Sequence, residues 1–293
     1  MSPISSIHLQ NETVTSYLRR SDRAVKAFSV ASWNVKHFKS AQARVDRALS
    51  FVKKQAPDVF ALYEIFGKDV FTEVVKQFPS YSFHITEGKG SQQILLGVRS
   101  TIDAFITQKL EFTSGTTNVS PGLLATIMHE GSVYPMLFMN LDSAPTAQGL
   151  GLRYEMMERA FKYRSKLDKL AWEQGDAKVN YIFLGDMEIM GMQHPFEKGI
   201  DAETELKKWD CDECQKYNMR RLKKTHDLTY QSCNGSQKGN YDHVYAAEHL
   251  KFTNFGDSEV DVRGWVAEPD EKQKEWREKY SPHSLLYFEV LKA

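Results

Sequence analysis

The sequence lacks the marks of secreted and membrane proteins. It contains no run of about 18 apolar residues, and its N-terminus has no apolar core of the kind found in signal peptides. Its three cysteines cannot all pair with one another, and two of them form a C-x-x-C motif. This cysteine usage favours a reducing compartment over a disulfide framework. We therefore expect a cytoplasmic protein that does not enter a membrane.

An excess of charge of either sign is also missing. Lys and Arg together number 38, as do Asp and Glu, so the formal net charge is zero. Such a chain has no overall attraction for nucleic acid, and a polyanionic substrate would have to be bound by a local patch. The sequence shows no repeat, composition break or low-complexity linker. We expect a polar lead-in at 1–25 and a single domain at 26–293 with an insertion at about 192–240.

Short apolar runs with the character of strands alternate with helical patterns along the chain. The predicted strands are 27–35, 58–65, 81–86, 93–99, 104–110, 123–129, 134–141, 181–184, 242–247, 260–266 and 284–291. The predicted helices are 41–54, 70–77, 154–172, 200–210 and 271–279. Strands that are antiparallel in the middle and separated by helices at either end predict an α/β (α+β) four-layer sandwich, with two mixed sheets face to face and helices outside.

Polar residues lie at or just beyond the boundaries of many of these apolar runs. They are Asn34, Glu64, Asn140, Asp186 with Glu188, Asp242 with His243, and His283. The ends of strands in a sandwich can meet on one face, so six separate segments could form one polar site. A single Asn or His at a strand end is more often a cap or a satisfied polar group, and that alternative stays open for each residue.

Five segments in order carry a resemblance to a known family: SWNVKHF, ALYEI, FLGDM, YDHVYAA and SPHSLLYFEV. Over about residues 28–291, the chain resembles the endonuclease/exonuclease/phosphatase superfamily, which has the deoxyribonuclease I-like fold. It is most similar to free-standing bacterial members of undetermined substrate. The resemblance implies a hydrolase of phosphoesters that requires Mg²⁺ or Mn²⁺.

The resemblance also implies a role for each matching residue. Glu64 would bind the metal through hard carboxylate oxygens, with Asn34 supporting the metal and the phosphate. Asp186 would orient or deprotonate the attacking water. Asp242 would fix the tautomer of His283 and favour its cationic form beside the scissile phosphate. The metal and the imidazolium would stabilise the charge that develops on the phosphate oxygens.

Four positions depart from the family pattern. Lys36 stands where an acid is usual, and Asn140 stands where many members have a phosphate-contacting His that Asn can replace as a donor. Glu188 replaces an Asn and adds a carboxylate that could bind the metal or pair with Lys36. Pro282 replaces an Asp on the metal side of the site. The core catalytic set is kept, so a working but altered site and a degenerate site both remain open.

Several basic residues are candidates for substrate contact. Arg220, Arg221, Lys223 and Lys224 form a cluster that could meet a phosphate backbone, or could be a solvated helix face. Arg99 and Arg153 are further candidates, because Arg binds phosphate with two donors. Three tyrosines near this cluster could stack on bases, although tyrosines in the core or on the surface are commoner. They are Tyr217, Tyr230 and Tyr241.

The cysteines permit a second metal site. Cys211 and Cys214, with His226 and Cys233 downstream, have the ligand types of a structural tetrahedral zinc site. The second pair lacks the close spacing of the first, so ordinary free thiols are the alternative.

The sequence thus predicts a metal-dependent phosphodiester hydrolase, with nucleic acid as the expected substrate. No membrane-facing segment favours a lipid, and the basic cluster favours a polynucleotide. One alternative is a catalytically degenerate member that binds nucleic acid or a protein. A second alternative is a phosphomonoesterase acting on a small phosphorylated metabolite.

Overall fold

The computed structural model describes residues 25–38, 42–87, 93–113, 121–141, 144–173, 175 and 178–292. The predicted lead-in at 1–25 lies outside this part of the chain, except for Val25. The strands are β1 (Lys26–Phe38), β2 (Val59–Ile65), β3 (Tyr81–Ile85), β4 (Gln93–Arg99), β5 (Asp103–Lys109), β6 (Gly122–His129), β7 (Ser132–Asn140), β8 (Ile182–Asp186), β9 (Met219–Arg221), β10 (Tyr230–Gln231), β11 (Lys238–Gly239), β12 (Asp242–Ala247), β13 (Asp261–Arg263) and β14 (Leu285–Leu291). The helices are α1 (Gln42–Gln55), α2 (Lys68–Gln77), α3 (Ala147–Glu173), α4 (Ala202–Lys208), α5 (Cys214–Lys216) and α6 (Asp270–Lys279).

Twelve of the strands form two six-stranded sheets. The first has the order β13-β14-β1-β2-β4-β3, and the second has the order β5-β6-β7-β8-β12-β9. Each sheet is mixed, because β1 runs parallel to β2 and β7 runs parallel to β8 while their other neighbours are antiparallel. Strands β10 and β11 form a separate hairpin. The predicted pair of mixed sheets is confirmed.

Three apolar clusters show how the layers are stacked. The largest lies between the sheets and contains side chains from both, such as Val30 and Leu184. A second packs the outer face of the second sheet against α3 and α4, through residues such as Phe161. The third packs the outer face of the first sheet against α1, α2 and α6. The protein is therefore a four-layer sandwich, as predicted.

Some element boundaries differ from the prediction for local reasons. The strand predicted at 260–266 ends at Arg263, because Gly264 has a positive φ of 122° and a short 3₁₀ helix, Trp265–Ala267, follows. Helix α3 begins at Ala147, before the predicted start at 154, in a stretch where two glycines weaken the helical pattern. Among the described residues, none of the helices is both long enough and apolar enough to cross a membrane.

The segment 192–240 contains α4, α5 and the short strands β9 to β11. A π-helical turn, Trp209–Glu213, joins α4 to α5. Strand β9 adds to the edge of the second sheet by pairing with β12. The interpretation of this segment as an insertion stays a prediction.

Candidate active site

Strand periodicity explains why the polar strand ends meet between the sheets. Val30 in β1 and Leu184 in β8 lie in the central core. Asn34 lies an even number of residues after Val30, and Asp186 lies an even number of residues after Leu184. Their side chains therefore face the space between the sheets, as those of Val30 and Leu184 do. Nδ2 of Asn34 donates a hydrogen bond to Oδ2 of Asp186 over 2.7 Å and joins the two sheets. The site thus continues the central core at one edge of the sandwich.

The neighbours of β8 bring two more predicted residues to this edge. Asp242 at the start of β12 and Asn140 at the end of β7 both pair in register with Asp186. All three are almost fully buried. His283, just before β14, has no exposed side-chain surface, and its Nδ1 lies 3.2 Å from Oδ2 of Asp242 and 3.7 Å from Oδ2 of Asp186. The predicted Asp–His pair is therefore formed in the structure.

Glu64 reaches the site in a different way, because its position in β2 does not fit the alternation. Its neighbour Tyr63 faces the central core. The register of β2 shifts between Tyr63 and Ile65, and Glu64 has a φ of 61°. Lys36, His37 and Glu188 also have φ near +47°. Left-handed backbone at non-glycine residues is costly and often occurs at functional sites.

Both carboxylate oxygens of Glu64 have partners within the protein. Oε1 accepts a hydrogen bond from Nδ2 of Asn34 over 2.8 Å and lies 3.8 Å from Nζ of Lys36. Oε2 accepts one from the backbone N–H of His37 over 2.9 Å and lies 3.1 Å from its Nδ1. Burial raises the pKa of Glu64, but Lys36, Asn34 and His37 outweigh it, so the pKa is lower than usual. Glu64 is thus a stabilised carboxylate.

The charges of Asp186 and His283 depend on each other. Burial raises the pKa of Asp186, and Asp242 adds to this effect, so the pKa reaches about 6 although His283 opposes the rise. Burial lowers the pKa of His283, but Asp186 and Asp242 outweigh burial and raise it to about 9. At neutral pH the site therefore contains an ionised Asp186 beside a cationic imidazole.

Three polar groups in the site have no internal hydrogen-bond partner. Nε2 of His283 and Nδ2 of Asn140 are buried donors without an acceptor. Glu188 is 5% exposed as a residue, and no hydrogen bond to its carboxylate is found among the described residues. Burial and the adjacent Asp186 raise the pKa of Glu188 well above its usual value. Buried donors without an internal partner are groups that a ligand or ordered water can satisfy.

Lys36 is half-buried and surrounded by the acids of the site. Burial lowers its pKa, but Glu64, Glu188 and Asp186 outweigh this effect and raise it. The charge reversal noted in the sequence therefore places an ammonium group against Glu64. Pro282 contributes only its backbone here, where its carbonyl accepts a hydrogen bond from the N–H of Gln231.

Two predicted stacking tyrosines cover His283. The ring of Tyr230 lies 4.7 Å from the imidazole, and Tyr241 stacks on Tyr230 with the ring centroids 5.0 Å apart. Both side chains are partly exposed. Tyr217 packs in the core against Phe161 instead, so it is not available to a base.

The predicted basic contacts are bonded to acids elsewhere in the fold. Arg99 pairs with Asp58, at the end of β2 remote from Glu64, so it cannot meet a phosphate at this site. Arg153 has no exposed surface and forms a two-point ion pair with Glu205, so the expectation of a substrate contact does not hold for it. The remaining pairs are Arg220 with Glu259, Arg221 with Asp210, and Lys223 with Asp257. These three side chains are partly exposed, and a role for them in substrate binding stays a prediction.

The predicted zinc ligands are not brought together. Cys211 and Cys233 are exposed, whereas Cys214 is buried, and burial raises the pKa of its thiol to about 12. Within the described part of the chain, the only group of at least three acids, cysteines or histidines placed to share a metal is Asp186, Glu188 and His283. The structure therefore supports free thiols at Cys211, Cys214 and Cys233 over a zinc site that these residues share with His226.

Other residues that hold the site together were not singled out from the sequence. Trp33 donates its indole N–H to the backbone carbonyl of His283 over 2.9 Å. Lys224, which was assigned only to the basic cluster, is buried and donates to the backbone carbonyl of Asp242 over 2.7 Å. Burial lowers the pKa of Lys224 to about 7. The hydroxyl of Thr229 accepts a hydrogen bond from the backbone N–H of Asp242. These contacts join distant segments, and no local pattern signals them.

Comparison with known proteins identifies the fold. No family model and no curated protein matches the chain. Among solved structures, TDP2 from D. rerio, complexed with single strand DNA product, has a TM-score of 0.60 at 13% identity and covers 91% of this chain and 99% of its own. An endonuclease/exonuclease/phosphatase from Bacteroides vulgatus has a TM-score of 0.61 at 12% identity, covering 90% and 98%. The chain has the endonuclease/exonuclease/phosphatase fold.

A third solved structure with this fold is named for a different activity. Mannosyl-6-phosphatase from Bacteroides thetaiotaomicron has a TM-score of 0.58 at 13% identity and covers 90% of this chain and 100% of its own. The resemblance noted in the sequence is thus confirmed at the level of the endonuclease/exonuclease/phosphatase fold.

Proposed function

We propose that the chain is a divalent-cation-dependent phosphoester hydrolase whose substrate is a phosphodiester of a nucleic acid. One observation carries the proposal above all. The buried, unpartnered donors of His283 and Asn140 lie at the same edge of the sandwich as Glu188, whose carboxylate has no hydrogen bond among the described residues. Donors suit the oxygens of a phosphate, and carboxylates suit a hard cation.

The residues of the chain can supply the remaining chemistry. Asp186 is ionised at neutral pH and can accept a proton from an attacking water, because its pKa lies at about 6. His283 is held with Nδ1–H on Asp242, which leaves Nε2–H free to donate to a phosphate oxygen. Asn140 can donate to a second oxygen through Nδ2. These donors would stabilise the charge that builds up on the phosphate.

The donor set of the site fits Mg²⁺ or Mn²⁺. Asp186 and Glu188 offer carboxylate oxygens, which are the ligands that these cations prefer. A ligand atom of each lies within 4.8 Å of the other and of His283. When bound, the cation would neutralise phosphate charge and polarise the phosphorus–oxygen bonds.

Two observations favour a nucleic acid as substrate. The D. rerio TDP2 structure of the same fold is complexed with single strand DNA product. The stacked Tyr230 and Tyr241 lie against His283 and offer a partly exposed aromatic surface beside the reacting phosphate, on which a base could stack. The basic cluster adds little support, because Arg220, Arg221 and Lys223 are each paired with an acid.

Each of the two other candidate functions has one observation in its favour. A binding module is favoured by Lys36, whose ammonium already neutralises part of the charge on Glu64. A phosphomonoesterase is favoured by the similarity to the mannosyl-6-phosphatase of Bacteroides thetaiotaomicron.

A panel of substrates separates the three functions. Purified protein is incubated in Mn²⁺ with single-stranded DNA, RNA, plasmid, a chromogenic phosphodiester and a sugar 6-phosphate, and the products are resolved. We expect cleavage of at least one nucleic acid and of the chromogenic diester. Release of phosphate from the sugar phosphate alone would support the monoesterase. Salt-dependent binding of DNA without any cleavage would support the binding module.

A further inference from the structure

Glu64 is already neutralised within the protein. Asn34 and Lys36 contact one of its carboxylate oxygens, and the backbone N–H and ring of His37 contact the other. A divalent cation bound there would have to displace Lys36 or approach its ammonium closely. Two cations at one carboxylate repel each other, so this position disfavours a metal.

Glu188 presents the opposite situation. Glu188 is 5% exposed as a residue, yet its carboxylate has no hydrogen bond among the described residues. Its oxygens lie close to those of Asp186, whose own amide partner is Asn34. Asp186 shares the cationic His283 with Asp242, whereas no ion pair to Glu188 is found among the described residues. The neighbouring carboxylates of Asp186 and Glu188 repel each other, and a bound cation removes this repulsion.

We infer that Asp186 and Glu188 hold the divalent cation in this chain, and that the ammonium group of Lys36 takes the place of a metal at Glu64. The inference rests on the proposed function, because it names the ligands of the cation that the proposed hydrolase uses. Relative to the family pattern, Lys36 replaces an acid near Glu64 while Glu188 adds an acid near Asp186.

His283 lies near these ligands but has another role in this arrangement. Its Nδ1 donates to Asp242, and the backbone carbonyl of His283 is held by Trp33. Nδ1 is thus occupied by Asp242, and Nε2 is left for the phosphate. The cation is therefore held by two carboxylates, with water and substrate oxygens completing its shell.

Binding of Mn²⁺ alone tests the inference without any substrate. Free Mn²⁺ is followed by electron paramagnetic resonance during titration of the full chain and its variants. We expect Glu188→Gln to weaken binding at least about tenfold, since even residues behind the ligands alter metal affinity by about 10–100-fold. Glu64→Gln should change the affinity less than about threefold, because the metal does not bind there.

A double variant tests the part played by Lys36. In the Lys36→Met background the ammonium is gone and Glu64 becomes available, so Glu64→Gln should now weaken Mn²⁺ binding. Glu130→Gln, at an exposed acid remote from the site, is the matched control and should bind as the wild type does. Glu188→Asn is a second variant at that position, and thermal melting verifies that each protein is folded.

Two outcomes would overturn the inference. One is loss of Mn²⁺ binding in Glu64→Gln with wild-type binding in Glu188→Gln, and the other is no binding by the folded wild type at millimolar Mn²⁺. Failure of the proposed function would look different. Mn²⁺ binding that depends on Glu188, in a protein that cleaves no phosphoester, would leave the ligand assignment standing and refute the hydrolase.

Discussion

At the scale of single residues, acidic side chains outnumber basic ones in the site. Four of the described acids, Glu64, Asp186, Glu188 and Asp242, are buried together, and Lys36, His283 and Lys224 lie beside them. The identity of the acids and of His283 could be predicted, because each lies at or near a boundary of an apolar strand. The roles of Trp33 and Thr229 could not, because their partners are distant in sequence and the contacts form only when the two sheets meet.

The acid–base pair at this scale can be tested by titration. We expect the imidazole of His283 to titrate near pH 9 in a histidine NMR experiment on the metal-free protein, since Asp186 and Asp242 favour its cation. Because this folded-state pKa is above the unfolded value, the stabilisation is complete below about pH 6.5 and is lost as the pH rises through 9. Asp242→Asn should lower this pKa. A value at or below 6.5 in the wild type would contradict the charge assignment.

The role of Arg153 is also a question of a single residue. Its guanidinium is fully buried on Glu205 and on the carbonyl of Gly191, so Arg153→Ala leaves a buried carboxylate without its partner. We expect a loss of about 3–5 kcal/mol in the free energy of unfolding, measured by urea denaturation. Arg99→Ala, at a partly exposed pair, should cost about 1 kcal/mol or less. Equal small losses for the two variants would instead indicate that Arg153 is dispensable for folding.

At the scale of the elements, the alternation of inward-facing and outward-facing side chains along the strands determines where the site lies. Asn34, Asn140, Asp186 and Asp242 continue the inward face of their strands, and the sequence pattern therefore predicts which way they face. Glu64 breaks this alternation through a left-handed backbone and a register shift. A pattern of apolar residues carries no signal for such a shift, so the structure was needed to place Glu64.

Gly185 precedes Asp186 in β8 and allows β8 to approach the neighbouring strand β7 closely. It has a φ of 141°, and a Cβ atom there would lie 1.9 Å from the backbone oxygen of Met139 in the neighbouring strand. We expect Gly185→Ala to lower the free energy of unfolding by at least about 3 kcal/mol, from backbone strain and displaced strands together.

Gly131 provides the control for this substitution. It also has a positive φ, 83°, but a Cβ atom there would meet nothing within 4 Å. Gly131→Ala should therefore lower the free energy of unfolding only by the cost of a left-handed backbone, about 1–2 kcal/mol, in the same denaturation experiment. Similar losses for the two alanine variants would show that the close approach of β8 to β7 contributes little to the cost of Gly185→Ala.

For the molecule as a whole, layer order was predictable but charge distribution was not. Strand and helix patterns predicted two sheets between helices, whereas the pairing of Arg220, Arg221 and Lys223 with acids depends on contacts between distant segments. The basic cluster in the sequence is therefore largely neutralised in the fold, which agrees with a net charge of zero.

Because these basic side chains are paired with acids, we predict that the affinity for DNA depends only weakly on salt concentration. If only one or two phosphates of a single-stranded DNA contact free cations, its affinity should fall less than about tenfold between about 50 and 200 mM salt. Fluorescence anisotropy of a labelled oligonucleotide, bound to an Asp186→Asn variant to prevent cleavage, measures this directly. A loss of about a thousandfold would reveal a basic track along the surface.

The central claim is that the carboxylates and His283 at the strand ends hydrolyse a phosphoester. Its most direct test is the rate of chromogenic phosphodiester cleavage in Mn²⁺ by the wild type, Asp186→Asn and His283→Ala, with Glu130→Gln as control. We predict that both site variants lose about 10²–10⁴-fold in rate while remaining folded, and that the control is unchanged. Cleavage at the wild-type rate by either site variant, or none by the wild type, would contradict the account.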